Sequence, residues 1–142
     1  MFGNTVFTKA KRQGKVANST GAAELHAMAA AVRQLESYRT TLEDMGFYQR
    51  TVPMYSDSQV AIAMLERGHL STATKHLRIS FYTVLEALQA GDVSLHHIPG
   101  ADNVADILTK SLPRDVHEKH TNTILQDNAP TRVATLLWRT ST

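Results

Sequence analysis

A mixed α/β sheet with helices on its faces is the fold the sequence predicts, and three features predict it. Strand-like runs and helical patterns follow one another as strand, strand, helix, strand, helix, helix, strand, helix, the order expected when helices carry the chain between strands. One strand runs directly into a helix through the polar corner SDS at 56–58, an arrangement common at the ligand-binding ends of open α/β sheets. The length, 142 residues, suits one domain with a core that needs no staples.

Taken in order, NTVFTK (4–9) alternates as a short strand, Gly14 turns the chain, and Lys15 to Asn18 can form a second. Ser19-Thr20-Gly21 is a helix start. Ala22 to Met45 follows as a long helix, with Leu25, Met28, Ala29, Val32, Leu35 and Leu42 near helical spacing and six early alanines that raise helix propensity. Gly46 ends it. Val52 to Tyr55 is a strand in which Pro53 is tolerated near the start, and Gln59 to Arg67 is the next helix. After Gly68, His69 to Thr74 is a polar connector, and Lys75 to Ala90 is a third helix with Leu77, Phe81, Val84, Leu85 and Leu88 on one side.

Gly91-Asp92 turns into the strand Val93 to Ile98, where Val93, Leu95 and His97 share one face and Ser94, His96 and Ile98 the other. Pro99-Gly100 stops that strand, a short helix runs from Val104 to about Thr109, and Val116 to Leu125 forms a last one. Residues 127 to 142 have no period and read as a poorly ordered tail, so the folded domain is assigned to residues 1–126.

The composition excludes several chemistries. With no cysteine there is no disulfide, thiolate metal site or cysteine nucleophile, and a reducing compartment fits. There is no apolar run of signal-peptide or membrane-span length, so the expected location is intracellular, cytoplasmic or nuclear, without secretion or membrane attachment. The net charge is only +2, yet Lys9, Lys11, Arg12 and Lys15 lie in a stretch that has no acid, a cationic edge suited to phosphate or simply to solvent.

Three carboxylates, Glu24, Asp57 and Asp106, sit at helix starts or strand-to-helix corners. Each could serve only the helix N-terminus, worth about 0.3–1 kcal/mol, and Asp57 stands between Ser56 and Ser58, all three being good N-caps. Alternatively, three acids far apart in sequence and close in space would supply the oxygen ligands that divalent ions need for phosphoryl transfer. Residue types and spacing leave both readings open. His117 and His120 lack the third ligand of a zinc protease, His96 and His97 point to opposite faces, and neither a G-x-S-x-G elbow nor a glycine-rich phosphate loop occurs. Met28, Met54 and Met64 read as core.

The segments VANSTGAAELHAMAAAV (16–32), YSDSQVAIAM (55–64), TKHLRISFY (74–82) and HHIPGADNVADILTKSLPRD (96–115) resemble, in order and spacing, the ribonuclease H domain of Ty1/copia-type retrotransposon Pol polyproteins. The resemblance covers roughly residues 4 to 125. It implies the ribonuclease H-like α/β fold and a hydrolase that cuts the RNA strand of an RNA–DNA hybrid with two Mg²⁺ ions. It makes Glu24 the acid of the first helix, Asp57 the acid after the central strand and Asp106 the late acid, as catalytic metal ligands. The implied partners are an RNA–DNA hybrid or other nucleic acid and, in an intact element, the reverse transcriptase domain of the same polyprotein.

The sequence also departs from that pattern. The family's first ligand is an aspartate on an opening strand resembling D-A-D-W, whereas this chain has no aspartate before Asp44. A missing first strand and ligand imply a truncated domain, inactive or weak alone. Tyr82 stands where the family usually has histidine, and Gly21-Ala22 replace its usual Thr-Glu. Lys9, Lys11, Arg12 and Lys15, together with Lys75, His76 and Lys110, are the residues expected to meet nucleic-acid phosphates, positioning the duplex without reading bases.

Overall fold

The computed structural model describes residues 9–12, 20–108, 110–125 and 138–141; residues 9–12, 138–141 and Thr20 are described by backbone alone. The expected strand at Lys15–Asn18, the helix-opening Ser19 and most of NTVFTK lie outside the described residues. The described elements are β1 (Lys9–Arg12), α1 (Thr20–Asp44), β2 (Val52–Ser56), α2 (Gln59–Glu66), α3 (Arg78–Gln89), β3 (Val93–His97), α4 (Arg114–Ile124) and β4 (Trp138–Ser141). Three 3₁₀ segments, Thr72–Leu77, Gly100–Asp102 and Val104–Leu108, link them.

The chain is therefore mixed α/β, as predicted. The described strands, however, form two parallel pairs instead of one sheet: β2 with β3, Val52 opposite Val93 and Ser56 opposite His97, and β1 with β4, Lys9 opposite Trp138. Parallel neighbours need a long crossover, and α2, the 3₁₀ segment Thr72–Leu77 and α3 provide it between β2 and β3. Gly91, at φ +76°, lets α3 reverse into β3. Gly91 N–H donates to the Leu88 carbonyl and Asp92 N–H to that of Ala87, closing the helix end.

The core lies between the β2–β3 pair and helices α1 and α3. Val52, Met54 and Val93 meet Leu25, Met28, Val32, Leu35, Leu77, Phe81 and Val84, all nearly inaccessible to solvent. The opposite face of the pair carries the exposed Tyr55, whose ring lies 5.5 Å from that of His96, its partner in register. This matches the period-two alternation read from the sequence.

Helix α1 starts two residues earlier than predicted and is buried almost all round in its first half. Ala22 through Leu25 are all buried, and between there and Leu35 only His26 and Arg33 are exposed. The predicted apolar side fades after Leu35, and Leu42 is only half-buried. At Gly21 the helix meets α2 so closely that an added Cβ would stand 2.7 Å from Val60 Cγ1 and 3.3 Å from Met64 Cε. The small residues that mark the start of α1 thus set how closely α2 approaches.

Two helices differ from their sequence reading. The third is an α-helix only from Arg78, preceded by 3₁₀ backbone over Thr72–Leu77, where β-branched Thr72 and Thr74 disfavour α geometry. The predicted short helix after Asn103 is the 3₁₀ segment Val104–Leu108. The tail, read as having no element, contributes β4.

Candidate functional site

Asp57 lies just beyond β2. The cap of α2 is Ser58, whose hydroxyl accepts from Ala61 N–H at 3.2 Å, while Ser56 Oγ accepts from Ser58 N–H at 3.1 Å. Both serines are committed to the backbone of the corner, and the aspartate between them is not the N-cap of α2. Its Oδ2 faces the Pro99–Gly100 turn beyond β3, 3.7 Å from where a Cβ on Gly100 would stand.

Glu24 projects from the second turn of α1, which begins at Thr20 and has no acid in its first turn. The helix-dipole explanation, weighed from the sequence, therefore loses force, because that field fades beyond the first turn. Only 7% of Glu24 is exposed, and it lines a narrow cleft with Met54, Tyr55 and Ser56. Glu24 thus borders the C-terminal end of β2, the strand that Asp57 follows.

Asp106 is buried in the 3₁₀ segment Val104–Leu108. Asn103 Oδ1 accepts from Ala105 N–H at 3.2 Å and holds the turn, and Asp106 N–H donates to the Asn103 carbonyl at 3.1 Å. Lys110 Nζ lies 2.8 Å from Asp106 Oδ2. The segment packs against α4 and β4. Among the described residues, no three histidine or carboxylate side chains stand close enough together to hold a metal ion. The three acids offer the hard oxygen donors that Mg²⁺ takes, with Glu24 bordering the end of β2, Asp57 following that strand and Asp106 in the segment Val104–Leu108.

The other predicted contacts are spread out. Lys9, Lys11 and Arg12 are on β1, with side chains outside the described residues, as is Lys15. Lys75 and His76 are exposed in the 3₁₀ segment before α3. Lys110 is the ion-pair partner of Asp106, a pairing that its i, i+4 spacing already signals in DILTK. His117 is exposed on α4, whereas His120 is among the most completely buried side chains.

Sequence reading missed a contact between α1 and α3. His26 Nδ1 lies 2.6 Å from Ser80 Oγ, and burial of that edge, with the nearby charges of His76 and Arg33, pulls the imidazole pKa below its usual value. Nothing in the local pattern links residues 54 positions apart. Asp102 is also held low, by the hydrogen bond and charge of Lys119, which ties the segment Gly100–Asp102 to α4 at 2.8 Å.

Over 116 residues, 82% of its length, the chain is 28% identical to the retrovirus-related Pol polyprotein from transposon TNT 1-94 of Nicotiana tabacum. This supports a retroelement-derived protein. The chain spans 9% of that polyprotein. No protein-family profile matches the sequence, and no solved structure matches it. No helix among the described residues is long and apolar enough to cross a membrane.

Proposed function

We infer that the chain is a ribonuclease H-like piece of a retrotransposon Pol polyprotein. In this reading Glu24, Asp57 and Asp106 are ligands of divalent metal, and the activity is hydrolysis of the RNA strand of an RNA–DNA hybrid. The observation that carries it is the placement of Glu24 beside the end of β2, the strand that Asp57 follows, with Ser58 performing the capping role that would otherwise explain the aspartate. The similarity to a Pol polyprotein supports it, and the four sequence segments that resemble the ribonuclease H domain give it a reaction.

Mg²⁺ would supply the activation of a water nucleophile and the neutralisation of the leaving oxygen. The residues of this chain would hold it through carboxylate oxygens, and Lys110, 2.8 Å from Asp106 Oδ2, would compete with it for that acid. The aspartate-bearing first strand implied by the family is not in this sequence, so the 142 residues alone are proposed to be inactive or weak. The test is cleavage of a labelled hybrid in Mg²⁺ by this chain and by one extended with the upstream strand. Activity restored by extension and abolished by Glu24→Ala and by Asp57→Ala supports the reading. Equal cleavage by wild-type and both variants sinks it.

A second reading rests on the acid-free cationic stretch that holds Lys9, Lys11, Arg12 and Lys15. In it the chain is a non-catalytic remnant that binds nucleic acid through Lys9, Lys11, Arg12, Lys15, Lys75 and His76. Binding that weakens as salt rises, with no cleavage from the extended chain, would select it.

A further inference from the structure

The first half of α1 is buried on nearly every side, which one neighbour cannot achieve. On one side stand α3, reached by His26, and α2, against Gly21. Ala23, Glu24, Ala27 and Ala31 occupy the other side, and they too are buried. Glu24, Ala27 and Ala31 border the end of β2 across the narrow cleft. The remaining described element packed extensively on α1 is β4, which also packs on the segment Val104–Leu108. That strand comes from the part of the chain outside the resemblance. It therefore meets both elements that carry buried acids, α1 with Glu24 and the 3₁₀ segment with Asp106.

We propose that β4 is an in-chain cover for the two elements that carry these buried acids, packed on both α1 and Val104–Leu108 and anchored edgewise by its pairing with β1. β1 supplies the main-chain hydrogen bonds, with Ala10 opposite Arg139 and Lys11 opposite Thr140. Two consequences follow: Glu24 and Asp106 are shielded from solvent while β4 is docked, and whatever lifts β4 exposes both together. The device stands on packing alone and is independent of the hydrolytic reading.

The test uses the full chain carrying Arg139→Pro with Thr140→Pro. In a parallel ladder alternate residues present N–H to a given neighbour, so adjacent prolines must remove at least one donor to β1. Carboxylates are then labelled with a water-soluble carbodiimide and a small amine and quantified by mass spectrometry, while amide exchange follows β1 and β2–β3. The expected result is exchange at 9–12 accelerated about tenfold or more and labelling of Glu24 and Asp106 raised severalfold. Asp92 labelling and β2–β3 protection should stay unchanged. Unchanged labelling at Glu24 and Asp106 overturns the proposal. So does loss of β2–β3 protection, since β4 would then hold up the whole fold and not a local cover.

Discussion

Gly21 on α1 and Val60 on α2 are in contact through the absence of a side chain: a Cβ on the glycine would lie 2.7 Å from Val60 Cγ1 and 3.2 Å from its Cβ. Such a distance cannot be met without shifting the Val60 side chain or the helix that carries it. Gly21→Ala is therefore expected to destabilise the fold by about 1–3 kcal/mol through overpacking, despite the better helix propensity of alanine. Combining it with Val60→Ala should recover much of that loss, because Val60 is more than half exposed and gives up little burial. Urea unfolding of the two single variants and the double variant measures the coupling, and simple additivity would show that the two positions do not clash.

The corner after β2 gives a second contrast. Ser58→Ala removes the acceptor for Ala61 N–H and should cost about 1 kcal/mol of stability, the usual value for a lost N-cap. Asp57→Asn, next to it, should cost appreciably less by the same measurement, because the helix cap is intact. If Asp57→Asn proves the more damaging of the two in urea unfolding, the aspartate is structural and its assignment as a ligand loses its main support.

The backbone order and most boundaries between residues 20 and 98 were legible because hydrophobic period and turn residues agree there. The SDS corner was legible as a strand-to-helix turn but not in its division of labour. Three adjacent side chains can each cap a helix, and only the backbone path, which puts Ser58 at the cap, decides among them. Strand β4 was not legible for a different reason. Trp138–Ser141 is too short to show alternation, and its existence depends on pairing with β1 at the other end of the chain. The Asp106–Lys110 pair falls between these cases, since the spacing announces it while the burial that gives it weight is a property of the fold.

The core makes a third prediction. Phe81 is fully buried on α3 and belongs to the cluster that joins both helices to the β2–β3 pair. Phe81→Ala should lower stability by about 3–5 kcal/mol, from lost transfer energy and the cavity left behind. Tyr82, beside it, is substantially exposed, with Arg78 over its ring at 6.0 Å. Tyr82→His, which introduces the residue usual in the resembling family, should change stability by less than about 1 kcal/mol. Denaturant midpoints of the two variants separate a core position from a surface one.

The fourth prediction concerns pH. Since the folded protein holds the His26 proton less tightly than the unfolded chain does, protonation favours unfolding. The contribution is complete above the unfolded value of about 6.5 and is lost as pH falls from there toward the lowered native pKa. Melting temperature should therefore drop with acidification over this window more steeply in the wild type than in His26→Gln, which keeps a polar partner for Ser80 but cannot titrate. His76→Gln and Arg33→Gln should each shift the His26 titration upward, as followed by the imidazole proton resonances, because each removes a repelling positive charge. Their effects should be smaller than that of burial itself, the largest cause of the shift. Equal acid slopes for wild type and His26→Gln would show that this contact does not govern the acid limb of stability.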